Sequence, residues 1–169
     1  MTSSILQYYI KQYATKGILV DTNLLLLFFI GNFDENYIKT FKRTNRYSIE
    51  EFNWVANIID KFSKIIVTPQ ILAELSNLSK QMDKPKLKQY FSYLVEVIKE
   101  SREIYINKDQ LMEINSLVAV GFTDFSIIKS AKEGKYLVFT DDGPLTGYLE
   151  KEKLDVINLN RIRTEMWGF

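Results

Sequence analysis

The chain contains neither cysteine nor histidine. Disulfides, thiolate zinc sites and a cysteine nucleophile are excluded, as are imidazole acid–base chemistry and the usual histidine ligands of transition metals. Any catalysis has to come from carboxylates, hydroxyls, Lys, Arg or a metal held by oxygen, which puts Mg²⁺ or Mn²⁺ ahead of Zn²⁺. Long apolar runs are lacking too: the longest, residues 24–30, is too short to span a bilayer and reads as a buried helix. Residues 1–17 hold no apolar core with a cleavage site, so no secretory signal and a cytoplasmic location are expected. There is also little net charge. A formal value of +1 gives no global pull toward nucleic acid. With 169 residues, 46% hydrophobic and 25% charged, the chain can bury one sizeable core, and one domain over 1–169 is expected.

What is present is an alternation of short apolar runs with helical patterns. Residues 3–14 read as a helix and 18–20 as a strand. A helix is expected from Asp34 to Arg43. Ser48 and Glu51 form a capping box that starts another over 49–62. A second strand covers 64–67; Thr68 as N-cap and Pro69 at the first helical position then open a helix carrying Glu74. Pro85 opens a further helix through Lys99, and 103–106 suggests a short strand. Asn107 or Asp109 caps the next helix, ending near Gly121, and Thr123 caps another to about Lys132, which Gly134 terminates. Residues 136–139 form a strand, Gly143-Pro144 turns into a helix, and Val156-Ile157 is a last strand. Such alternation predicts a parallel sheet covered on both faces.

Acids cluster where the strands end. Asp21 closes the first run, Asp141 and Asp142 follow the 136–139 run, Glu74 comes soon after the second, and Asp124 opens its own segment. Side chains beyond the carboxyl ends of parallel strands converge on one crevice, so these acids are expected to meet and to form a hard-cation site. Each also has a local explanation: Asp21 as an N-cap, Glu74 as a solvated helix position, Asp124 as a first-turn acid favoured by the helix dipole. The Asp141-Asp142 pair is harder to explain locally, because adjacent carboxylates repel. Basic groups such as Lys39, Lys42, Arg43 and Arg46, or Arg161 and Arg163, read as solvated faces unless the fold brings them to the acids, where they become phosphate contacts.

Four segments, taken in order, resemble the acidic motifs of the PIN-domain ribonucleases: Val20-Asp21-Thr22-Asn23, Thr68-Pro69-Gln70-Ile71-Leu72-Ala73-Glu74-Leu75, Phe122-Thr123-Asp124-Phe125-Ser126-Ile127-Ile128 and Val138-Phe139-Thr140-Asp141-Asp142-Gly143-Pro144-Leu145. Their joint order, strand context and spacing carry the resemblance along nearly the whole chain. It implies a three-layer α/β/α sandwich with a central, mostly parallel sheet and a crevice for one or two Mg²⁺ or Mn²⁺ ions. Asp21, Glu74 and Asp124 match the first three acids, and the fourth falls on Asp142, with Asp141 a rival ligand. Asn23 and Thr140 match positions that orient acids and water. The stretch between Asp21 and Glu74 is longer and more helical than in the compact toxins of the family.

The chemistry the resemblance implies is in-line hydrolysis of single-stranded RNA, with Asp21, Asp124 and Asp142 on the metal and Glu74 acting on the attacking water. Lys129, Lys132 and Arg161 are candidate backbone contacts. A small antitoxin is one expected partner. A homodimer is another, through the apolar N-terminal helix (Ile5, Leu6, Tyr8, Tyr9, Ile10, Tyr13) and the end Met166-Trp167-Gly168-Phe169. Aspartyl-phosphate chemistry needs a second acid beside Asp21, where Thr22-Asn23 stands instead. A non-catalytic RNA-binding or protein-interaction module is the remaining alternative.

Overall fold

A computed structural model describes residues 3–167. The run 24–30 lies in α2 (Thr22–Phe33) and is buried on every side, as expected for a helix without a polar face. Around it the chain runs α1 (Ser3–Tyr13), β1 (Ile18–Val20), α2, α3 (Tyr37–Thr40), α4 (Ile49–Ile59), β2 (Ile65–Val67), α5 (Pro69–Ser79), α6 (Lys84–Lys99) and β3 (Arg102–Glu103). It continues through a 3₁₀ turn (Lys108–Leu111), α7 (Ile114–Gly134), β4 (Leu137–Thr140), α8 (Gly143–Lys151), β5 (Val156–Asn158) and α9 (Leu159–Trp167).

The strands form one all-parallel sheet in the order β3-β2-β1-β4-β5. β1 and β4 lie at its centre and are wholly buried, which is why they read as unbroken apolar runs and not as alternating ones. Helices cover the sheet to give a three-layer α/β/α sandwich: α2 packs with α3, α4, α5 and α6, while α7 packs with α8 and β4. One contiguous core joins the layers, from Tyr13 to Leu159. Among the described residues no helix is long and apolar enough to cross a membrane.

Several local expectations change. Asp34 starts no helix; it ends α2, and α3 is a single turn from Tyr37. Asn107 caps the 3₁₀ turn, with Gln110 completing a capping box, and α7 begins only at Ile114. Gly121 does interrupt that helix, at φ +77°, a conformation open to glycine at little cost. Gly134 is not the left-handed cap. Lys135 takes φ +51° in that role, and Gly134 is needed because a Cβ there would run into the Tyr136 ring. In α1, Leu6, Tyr9, Ile10 and Tyr13 pack on the core, leaving Ile5 and Tyr8 exposed. Gly168 and Phe169 lie outside the described residues.

Candidate functional site

Strand order reverses between β1 and β4, and in an open parallel sheet that reversal opens a crevice at the carboxyl ends of the two strands. Asp21 and the Asp141-Asp142 pair occupy those two ends. Asp21 is 4% exposed and caps α2: its Oδ1 accepts the Asn23 N–H at 2.7 Å, and its Oδ2 accepts the Thr140 hydroxyl. The fully buried Thr140 also accepts the Asp142 N–H at 2.9 Å, so one hydroxyl ties the two strand ends together. Asn23 contributes its main-chain N–H, while its side chain is exposed. Capping explains part of Asp21, but not its burial among other acids.

Those acids arrive from two helices. The Thr22 hydroxyl donates to Glu74 Oε2 at 3.0 Å, fixing α5 against the start of α2. Thr68, the N-cap of α5, hydrogen-bonds Ser126 Oγ at 3.0 Å in a buried contact, which joins α5 to the part of α7 that bears Asp124. Burial, then repulsion from Asp21, Asp142 and Glu74, pushes the Asp124 carboxyl up to about 7. Asp21 is pushed up to about 6, chiefly by burial; its hydrogen bonds oppose this, and the charges of Asp141 and Asp142 add to it. These influences place Asp21, Glu74, Asp124 and Asp142 around one crevice. None of the four pairs with a Lys or Arg among the described residues. Equally, among the described residues no three acidic side chains stand close enough to hold one ion between them.

Asp141 has different surroundings. Its Oδ2 accepts from the Tyr47 hydroxyl at 2.8 Å and from Arg46 Nη2 at 3.1 Å, whereas Asp142 Oδ1 accepts the Leu145 N–H at 2.6 Å as the N-cap of α8. Two of the three expected RNA contacts are paired away from the acids. Lys132 pairs with Glu152 at 2.8 Å and Arg161 with Glu150 at 2.5 Å. Both partners lie at the far end of α8, a nine-residue helix that spans about 13 Å from its Asp142 cap. Lys129 sits with its ammonium 5.0 Å from the centre of the Phe125 ring.

Thr22, Ser126 and Tyr47 are the participants that sequence reasoning missed, and Arg46, read as a solvated face unless the fold brought it to the acids, is brought to Asp141. Thr22 had a signal, since it directly follows an acid at a strand end. Tyr47 had none, because its partner is 94 residues away. No model of a known protein family matches the sequence, and no curated protein matches it either.

Proposed function

We propose that the chain is a metal-dependent endoribonuclease that hydrolyses phosphodiester bonds of single-stranded RNA with Mg²⁺ or Mn²⁺ at the Asp21–Glu74–Asp124–Asp142 crevice. The observation that carries this reading is that burial, with repulsion from neighbouring acids adding to it, holds Asp21 and Asp124 far above the usual carboxylate range, with no ion-pair partner for either among the described residues. Buried like charges call for a cation. The donor set is all oxygen, the chemistry of a hard ion, and because no three of the described acids close on one ion, such an ion would have to keep much of its water, as Mg²⁺ does. Such an ion supplies an acidified water and offsets the charge that builds on the phosphate.

The chain's own groups do the rest. Asp21, Asp124 and Asp142 would hold the ion through its bound waters, since no three of the described acids close on one ion directly, and Thr140 fixes Asp21 in place. Glu74, tethered by Thr22, receives the proton of the attacking water. The choice of RNA rests on the resemblance to PIN-domain ribonucleases. The test is Mn²⁺-dependent cleavage of a mixed RNA pool by wild type and by Asp21→Asn: cleavage by the first and not by the second supports the reading. That no three of the described acids close on one ion favours one alternative, a non-catalytic RNA-binding module. Wild type that binds RNA yet cleaves neither RNA nor single-stranded DNA in Mg²⁺ or Mn²⁺ decides for that alternative.

A further inference from the structure

Beside the acidic crevice lies an open cavity of about 470 Å³ lined by Lys39, Arg46, Ser48, Glu51, Asp141 and Arg163. It reaches the crevice through the main chain, because Asp141 belongs to its wall and Asp142 to the crevice. The cavity sets three cations against two carboxylates, and both carboxylates are already committed. Glu51 accepts the Ser48 N–H through Oε2 and the Arg163 Nε–H through Oε1, and it is only 3% exposed. Asp141 accepts from Tyr47 and Arg46. These acids therefore act as struts that aim the arginines.

The aiming is specific. Tyr47 is fully buried, and both guanidinium carbons lie close to its ring, at 4.7 Å for Arg46 and 5.7 Å for Arg163. Arg46 spends Nη2 on Asp141 and Tyr47, and Arg163 spends Nε and Nη1 on Glu51 and Asn160. A guanidinium carries five N–H donors, so each retains donors beyond these contacts. Lys39 is exposed and forms no ion pair among the described residues. Two like charges held around one ring, with an unpaired ammonium at the rim, form a receptor for an anion with several acceptor oxygens, and planar guanidinium forks match phosphate.

We infer that this cavity is a subsite for a phosphate of the RNA strand, neighbouring the phosphate attacked at the carboxylates. The inference rests on the nuclease reading for the identity of the strand, but binding can be read without cleavage. The basic cavity draws in a polyanion that the acid crevice alone would repel, and it fixes the register of the strand relative to the acids.

The experiment measures fluorescence anisotropy of a labelled single-stranded RNA with metal-free protein across a salt series. Lys39→Ala/Arg46→Gln should bind about tenfold more weakly or worse, the scale of lost charge-assisted hydrogen bonds. The slope of log affinity against log salt should become shallower by about 0.7 for the one phosphate released. Lys39→Ala alone, at an exposed position that leaves the fold intact, should lose about two- to fivefold. Unchanged affinity and slope in both variants overturn the proposal. A parallel titration with inorganic phosphate separates the sources. Phosphate bound by wild type and not by the double variant, with RNA affinity unchanged, overturns the strand assignment in favour of a free-anion site. Wild type that binds RNA through the cavity but never cleaves it keeps the subsite and removes the nuclease reading; cleavage with binding indifferent to the variants does the reverse.

Discussion

Asp141 and Asp142 are adjacent in the chain, yet they belong to opposite electrostatic regions. Asp141 faces Arg46 and Tyr47, and its charge is matched. Asp142 faces a crevice where Asp21 and Asp124 form no ion pair among the described residues and burial forces them toward protonation, although Asp21 feels the charge of Arg46. The cause is geometric: successive residues at the end of a strand point to different sides, so β4 delivers one acid to each region. On the basic side the carboxylates are matched and cationic donors are left over, while on the acidic side the carboxylates are left without an ion-pair partner among the described residues. That difference predicts which substitutions abolish chemistry and which only weaken binding.

The largest expected effect is on cleavage. Asp124→Asn keeps the side-chain volume and removes a charge from the unpaired side; cleavage should fall about a hundredfold or more, the scale of removing one preorganised electrostatic stabiliser. Asp141→Asn, on the paired side, should cost far less. Equal losses in steady-state rates of the two variants would erase the distinction between the regions.

Next in size is the response of the metal-free protein to pH. The Asp124 carboxyl titrates near 7 in the fold against an ordinary 3.8, so the folded state binds its proton more tightly than the unfolded chain. Its contribution to stability is complete below about pH 4 and is lost as the pH rises through about 7. Asp21, at about 6, acts in the same direction. Each tenfold difference in proton affinity between the folded and unfolded chain is worth about 1.4 kcal/mol, so the loss is on the order of a few kcal/mol. Urea denaturation in EDTA at steps across that window should show it, and Asp124→Asn should flatten the curve. Rising stability over the same range would contradict the repulsion argument.

Divalent metal should reverse that loss. At about a hundredfold excess over Kd, Mn²⁺ adds about 2.7 kcal/mol, or roughly 5 to 10 °C in the thermal midpoint of a chain this size. Asp142→Asn should shrink the increment. A flat midpoint together with no heat of binding in calorimetry would remove the ion from the crevice.

How much of this was legible in the sequence follows from range. β1 and β4 could be read because a strand buried on both faces is an unbroken apolar run, and the acids that end such runs are visible with them. The Ser48–Glu51 capping box could be read because both partners lie three residues apart. The second duty of Glu51, holding Arg163, could not, since 112 residues intervene. Lys132 looked like a phosphate contact because its Glu152 partner emerges only once α7 packs on α8. Asp34 looked like a helix start because an acid beside a turn is favoured at a helix N-terminus; it ends α2 instead, and its partner, Lys86, lies 52 residues on.

The smallest effect is the most discriminating about Glu74. Thr22→Val preserves shape and buried volume but removes the hydroxyl that donates to Glu74 Oε2 at 3.0 Å. The net stability cost should be about 1 kcal/mol, since a single hydrogen bond contributes little beyond the water it replaces. If Glu74 receives the proton of the attacking water, loosening it misplaces a group needed in the transition state and not in the ground state, so kcat should fall while KM stays put. If Glu74 is only a solvated helix residue, as its sequence context alone would allow, neither parameter should move. Serine at position 22 restores the donor and should recover kcat. A loss confined to KM would mean that Thr22 and Glu74 shape the strand path, leaving proton transfer to water.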